Sequence, residues 1–118
     1  MSYDESLARR VEKNLRRRRG WTRKKMFGGI CYMLNGNMCC GVLDDELIVR
    51  AKPDEYERAM KRPHTRVLDF TGRPMKGFVV VRPPGWRAEA ALKNWITLGI
   101  RCARSRPPKK PTKAPAKK

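Results

Sequence analysis

The dipeptide Asn35-Gly36 constrains this chain more than any other feature, because it joins two runs that can pair as strands, Cys31-Tyr-Met-Leu34 and Asn37-Met-Cys-Cys40. A two-residue type I′ turn needs positive φ at both central positions, and Asn-Gly is among the few pairs that accept it. Pairing across such a turn predicts Leu34 opposite Asn37, Met33 opposite Met38, Tyr32 opposite Cys39 and Cys31 opposite Cys40. In that register Cys39 and Cys40 point to opposite faces of the strand. A second turn at Asp44-Asp45 leads into Glu46-Leu-Ile-Val-Arg50, so the segment from Lys25 to Ala51 is expected to hold a three-stranded antiparallel meander.

Helical patterns flank this segment. Ser2 followed by Glu5 fits a capping box, and Leu7, Val11 and Leu15 recur at a four-residue spacing with Tyr3 and Ala8 on the same side. The pattern predicts an amphipathic helix over about residues 3 to 18, with Gly20 just past its end and Arg9, Arg10, Lys13, Arg16 and Arg17 on its polar face. Pro53 suits the first turn of a second, shorter helix that ends before Pro63. There Asp54 and Glu55 favour the positive end of the dipole, and Tyr56, Ala59 and Met60 are free to pack. Gly72 and Pro74 interrupt the stretch from Thr65 to Gly77, and Phe78-Val-Val-Val81 reads as a fourth strand. After Pro83-Pro84-Gly85, the residues Ala88, Ala91, Leu92, Trp95, Gly99, Cys102 and Ala103 trace one face of a helix that packs across the sheet. The expected class is α+β, an antiparallel sheet of about four to five strands in a meander, packed with N- and C-terminal helices.

Beyond Ser105 the chain has no large apolar residue, and nothing there offsets the entropy of ordering. One domain over residues 1–105 and a disordered Lys/Pro/Ala-rich tail over 106–118 are therefore expected. The formal charge is +18, from 29 Lys and Arg against 11 Asp and Glu. It is concentrated at the two ends, with ten basic and three acidic groups in residues 1–25 and six basic and no acidic groups in residues 105–118. Such a field attracts polyanions, nucleic acid foremost. No stretch approaches the roughly 20 apolar residues of a membrane span, and the N-terminus lacks the apolar block of a secretory signal, so a cytoplasmic protein with no membrane partner is expected.

Reactive chemistry has few candidates. Cys31, Cys39, Cys40 and Cys102 contain no Cys-x-x-Cys pair, and His64 is the only histidine, so plain buried thiols are expected rather than a metal site, and no cofactor is implied. Met26-Phe-Gly-Gly29 lacks both phosphate-loop patterns and reads as two glycines permitting a bulge or close packing of another element. A thiol at Cys39 or Cys40 beside His64 would make a nucleophile pair. Pro63-His64 lies among basic residues, however, and a turn or surface histidine is the preferred reading. The glycine-punctuated stretch Asp69-Phe-Thr-Gly-Arg-Pro-Met-Lys-Gly77 supports two readings. It displays Arg73 and Lys76 as an anion clamp, or it is a structural turn whose Asp69 or Thr71 side chain satisfies backbone amides.

Four segments, Lys25-Met-Phe-Gly-Gly29, Asn35-Gly-Asn-Met-Cys-Cys-Gly41, Arg62-Pro-His64 and Asp69-Phe-Thr-Gly-Arg-Pro-Met-Lys-Gly-Phe78, occur in an order and spacing that resemble the N-terminal domain of the TfoX/Sxy family. The likeness runs from about Tyr3 to Pro108. It implies an α+β domain and, for the founding members, a competence regulator that helps the cyclic-AMP receptor protein act at certain promoters. Those members carry a second, helical C-terminal domain, where this chain has its basic tail.

The expected function is a non-enzymatic regulatory or accessory module, associated with transcription, that has a protein partner and contacts nucleic acid weakly and without sequence specificity. Arg9, Arg10, Lys13, Arg16 and Arg17 of the helix and Lys109, Lys110 and Lys113 of the tail would make those contacts. The competing expectation is a small-molecule or anion-binding domain in which Arg50, Arg73 and Lys76 surround a pocket beside the sheet.

Overall fold

The computed structural model describes residues 3–16, 18, 20–26, 28–69 and 74–105. The first helix, α1, spans Glu5–Leu15 and is shorter at both ends than the apolar spacing predicts. Its cap is Asp4, whose Oδ1 accepts the Leu7 N–H at 3.0 Å, while Ser2 lies outside the described residues. The residues ahead of it cannot be helical, because Tyr3 forms a parallel bridge with Asp44 and the Asp4 N–H donates to the Asp44 carbonyl at 2.6 Å. Leu7, Ala8, Val11 and Leu15 are buried, as their spacing requires. Gly20 lies in the connection to the next strand rather than directly at the helix end.

Six strands form one antiparallel sheet: β1 Trp21–Met26, β2 Gly29–Leu34, β3 Asn37–Leu43, β4 Glu46–Arg50, β5 Thr65–Asp69 and β6 Pro74–Val81. The order β1-β2-β3-β4-β6-β5 is a four-stranded meander followed by a hairpin whose second strand returns to pair with β4. The expected α+β class and antiparallel meander hold, and the fourth predicted strand is the C-terminal half of β6. The two additional strands lie at the edges. β1 reads Trp-Thr-Arg-Lys-Lys-Met and β5 Thr-Arg-Val-Leu-Asp, polar runs with little apolar alternation to mark them. The stretch beginning at Asp69 is thus largely a hairpin, with Asp69 paired to Pro74 and residues 70–73 outside the described residues.

At the Asn35-Gly36 turn the two φ angles are +53° and +82°, and Leu34 pairs with Asn37 and Met33 with Met38 as expected. Farther along, the expected register is wrong by one residue. Tyr32 faces Cys40 and Cys31 faces Gly41, because Cys39 is an extra residue bulged out of the ladder. The bulge changes the parity of β3. A regular strand that turned Asn37 and Cys39 toward the helices would turn Cys40 and Val42 away from them. With the bulge, Cys39, Cys40 and Val42 all enter the main core, and the two vicinal cysteines are not split across the sheet.

The helices lie on one face. α2 (Pro53–Met60) starts with proline in its first turn and ends before Pro63 as expected, and a short α3 (Pro83–Trp86) precedes α4 (Glu89–Arg104). Their apolar residues join those of α1 and of β2, β3, β4 and β6 in one cluster, with Tyr32 and Trp95 among its largest fully buried side chains. On the opposite face Ile48, Leu68 and Val80 form a smaller cluster made of strand residues, flanked by Met38, Leu43 and Phe78. Among the described residues no helix is long and apolar enough to cross a membrane.

Candidate nucleic-acid interface

The polar face of α1 separates into two groups of cations. Arg9, Lys13 and Arg16 are exposed and make no ion pair among the described residues. Arg10 is different. Its Nη2 donates to the Arg87 carbonyl at 2.9 Å and to Glu89 Oε1 at 3.1 Å, and its guanidinium sits 5.7 Å from the centre of the Trp86 ring. Arg10 therefore fastens α1 to the start of α4, and its hydrogen bond holds the Glu89 carboxyl below the usual carboxylate range. Of the five N-terminal residues expected to contact phosphate, three present free charge, one is structural, and Arg17 lies outside the described residues. Lys109, Lys110 and Lys113 of the tail also lie outside them.

Tertiary packing adds a cation that helical periodicity does not single out. Lys13 and Asn14 of α1 and Arg16 at its C-terminal cap face Glu89 and Lys93 of α4 across a groove of ≈ 370 Å³. Lys93 lies far from α1 in sequence, and only the packing of α4 beside α1 brings it there. The edge strand β1 carries a further row, Arg23, Lys24 and Lys25, all exposed. Arg23 is tied to α1 by its Nη1, which donates to Glu12 Oε2 at 2.8 Å. Cations on an edge strand also discourage pairing with a second sheet, so this row has a structural use of its own.

The other predicted cluster is less complete. Arg50 closes β4 with its guanidinium 5.5 Å from the centre of the Phe78 ring, its neighbour across the ladder. Arg73 lies outside the described residues, and Lys76 is described only as part of the β6 backbone. The expected pocket of three cations therefore rests on Arg50 alone of the three.

The thiols are free, with Cys39, Cys40 and Cys102 buried and Cys31 half-buried. Its hydrogen bond with Cys39, together with full burial, pushes the Cys40 thiol well above its ordinary range. Burial also raises Cys31, partly offset by Lys24. His64 is exposed at φ +66° in the turn between α2 and β5, so it is a surface turn histidine and is not assembled with the core thiols. Met26 pairs with Gly29, Gly28 takes φ +79°, and a Cβ on Gly29 would overlap the Val42 carbonyl oxygen, so the close packing expected of the pair is found at Gly29. Among the described residues no three His, Cys, Asp or Glu side chains converge as metal ligands.

The family model for the TfoX N-terminal domain matches residues 13–103. No curated protein and no solved structure matches the chain.

Proposed function

The chain belongs to the TfoX N-terminal domain family, a competence-regulator-like domain, and from that premise we propose that it is a non-enzymatic accessory module associated with transcription. In this reading a protein partner supplies specificity, and the cationic face supplies weak, sequence-independent contact with duplex DNA. The observation that carries it is the placement of Arg9, Lys13 and Arg16, exposed and unpaired among the described residues, with Lys93 across the groove from two of them. Their charges can displace condensed counterions from a phosphate backbone. Contacts of this kind position a protein on DNA without reading bases. The non-enzymatic part is supported by geometry: Cys39 and Cys40 are buried in the core while His64 lies on an exposed turn, so the thiol–imidazole pair that would make a nucleophile is not assembled.

The test is a salt titration of duplex DNA binding by fluorescence anisotropy, on the whole chain and on a chain ending at residue 105. Affinity is expected to fall steeply between low and physiological salt, and to weaken on loss of the six basic residues of the tail. Absent binding, or binding indifferent to salt, overturns the proposal.

A further inference from the structure

The sheet face turned away from the helices carries an apolar strip bordered by cations. One outward row crosses all six strands as Lys24, Cys31, Gly41, Ile48, Val80 and Arg66, each paired with the next across a ladder. Met33, Met38, Leu43 and Phe78 stand beside this row on the same face. The bulge at Cys39 makes the strip continuous. It turns Gly41 outward as well as Met38, where a regular strand would have turned Gly41 toward the core.

Ile48, Leu68 and Val80 are buried among these side chains, whereas Cys31, Met33, Met38, Leu43 and Phe78 keep part of their surface exposed. The buried apolar residues of α1, α2, α3 and α4 in the main core lie on the other face of the sheet and leave these uncovered. Gly41, with no side chain, leaves a shallow depression between Cys31 and Ile48. A contiguous accessible apolar strip of this kind marks an interaction surface, and the two methionines can reshape to fit what lies on it.

Charge decides the occupant. At the β5 border the cation is already satisfied, because Arg66 donates to both oxygens of Glu46, through Nη2 at 2.6 Å and Nε at 3.2 Å. Lys24 on β1 and Arg50 on β4 make no ion pair among the described residues. The Arg50 guanidinium lies 5.5 Å from the centre of the Phe78 ring, which leaves its N–H edges free for a carboxylate. These two strands are three spacings apart, about 14 Å, or two to three turns of a helix laid across the strands. A second copy of the chain would bring a charge of +18 against an equal one. The basic tail has no large apolar residue to set on the strip.

We propose that this sheet face docks an acidic amphipathic helix of a partner protein. Its apolar stripe lies over Cys31, Gly41, Met33, Met38 and Phe78, and its carboxylates pair with Lys24 and Arg50. The inference rests on the reading in which a protein partner supplies specificity, and it assigns that partner a surface. Arg9, Lys13, Arg16 and Lys93 belong to helices on the other side of the sheet, so DNA and the partner can be bound at once.

The experiment selects a phage-displayed library of helical peptides on the whole chain at physiological salt, then measures the synthesised binders by fluorescence anisotropy. Enriched peptides are expected to carry apolar residues at i, i+3, i+4 and i+7 with Asp or Glu beside them. Scrambled peptides of the same composition should bind about tenfold more weakly or worse, which separates docking from general attraction of acids to a basic protein. Met33→Glu, within the strip, and Lys24→Glu, on an exposed residue that the fold does not need, should each weaken binding about tenfold or more. The Lys13→Ala/Arg16→Ala variant should bind the peptides like the parent chain, and Met33→Glu should keep the parent's affinity for duplex DNA, so failure here and failure of the DNA reading are told apart. The proposal is overturned if no such peptide is enriched, if scrambled peptides bind equally well, or if the Met33 and Lys24 variants bind unchanged. A dimer of the chain alone in sedimentation that Met33→Glu dissociates would give the face to a second copy instead. Binding to phosphatidylserine vesicles that Met33→Glu abolishes would give it to a lipid surface, and either result also overturns the proposal.

Discussion

Gly99 of α4 lies directly on the Cys39 carbonyl at the β3 bulge. A Cβ at position 99 would overlap the carbonyl oxygen and stand 3.0 Å from its carbon and 3.1 Å from Cys39 Sγ. Helix and bulge are thus fitted to each other: the bulge pushes backbone toward the helix, and glycine is the residue that leaves room for it.

This contact sets the sign of a substitution that helix propensity alone gets wrong. Replacing glycine by alanine in a helix interior normally stabilises by about 1 kcal/mol. Here the nearest obstructing atoms are backbone atoms of Cys39, held between the paired residues Met38 and Cys40, and forced overpacking of a core costs about 1–3 kcal/mol. Gly99→Ala is therefore expected to lower stability in urea unfolding, with a reduced midpoint and an unchanged slope. A raised midpoint would show that α4 can move off the bulge.

The same contact marks how far the sequence can be read. The Asn35-Gly36 turn and its first two pairs were legible because the turn geometry is local. The bulge at Cys39 was not, since the residues that favour it, Val42 beneath the helices and Gly99 above, are brought together only by packing. β1 is not legible because an edge strand with Arg23, Lys24 and Lys25 has no apolar alternation to mark it. In the candidate interface, Arg9, Lys13 and Arg16 were legible from helical periodicity. Arg10 shares that periodicity and is nevertheless structural, because its partners Trp86 and Glu89 lie more than seventy residues away.

Thiol reactivity gives a direct test of the bulged register. With Cys39, Cys40 and Cys102 in the core and Cys31 half-buried, the folded chain is expected to expose at most one thiol to a disulfide reagent at neutral pH, and slowly, because burial also raises Cys31. All four should react on unfolding. Had Cys39 and Cys40 pointed to opposite faces, two thiols outside the main core would be the expected count.

Tyr32 links the core to the charged surface and sets a pH dependence. Its hydroxyl donates to Glu12 Oε2 at 2.8 Å, and lies 3.3 Å from the Ala8 carbonyl. Burial, and then the bond to Glu12, push the phenol far above its ordinary value. The folded state therefore holds this proton more tightly than the unfolded chain, whose phenol titrates near pH ~10. Its contribution is complete below that pH and is lost as pH rises through it toward the folded value. Tyr32→Phe is expected to cost about 1 kcal/mol at neutral pH. It should also flatten the fall in stability above pH ~10, where the unfolded phenol titrates. Parallel slopes for the two proteins in urea unfolding between neutral and alkaline pH would show that the phenol ionises as readily folded as unfolded.

The division among the α1 cations predicts that neighbouring arginines behave differently. Lys13→Ala/Arg16→Ala removes two exposed, unpaired charges, so the unfolding midpoint should stay within experimental scatter while DNA affinity falls. Each lost phosphate contact reduces the slope of log affinity against log salt by about 0.9, so the pair should reduce it by up to about 2. Arg10→Ala should do the reverse. It breaks the contacts to Arg87, Glu89 and Trp86, and partly exposed ion pairs and cation–π contacts together account for about 1 kcal/mol. Stability should fall by that amount while the salt slope stays nearly fixed. If Arg10→Ala reduces the slope as much as the double variant does, the contact with Glu89 opens on DNA and Arg10 belongs to the binding face.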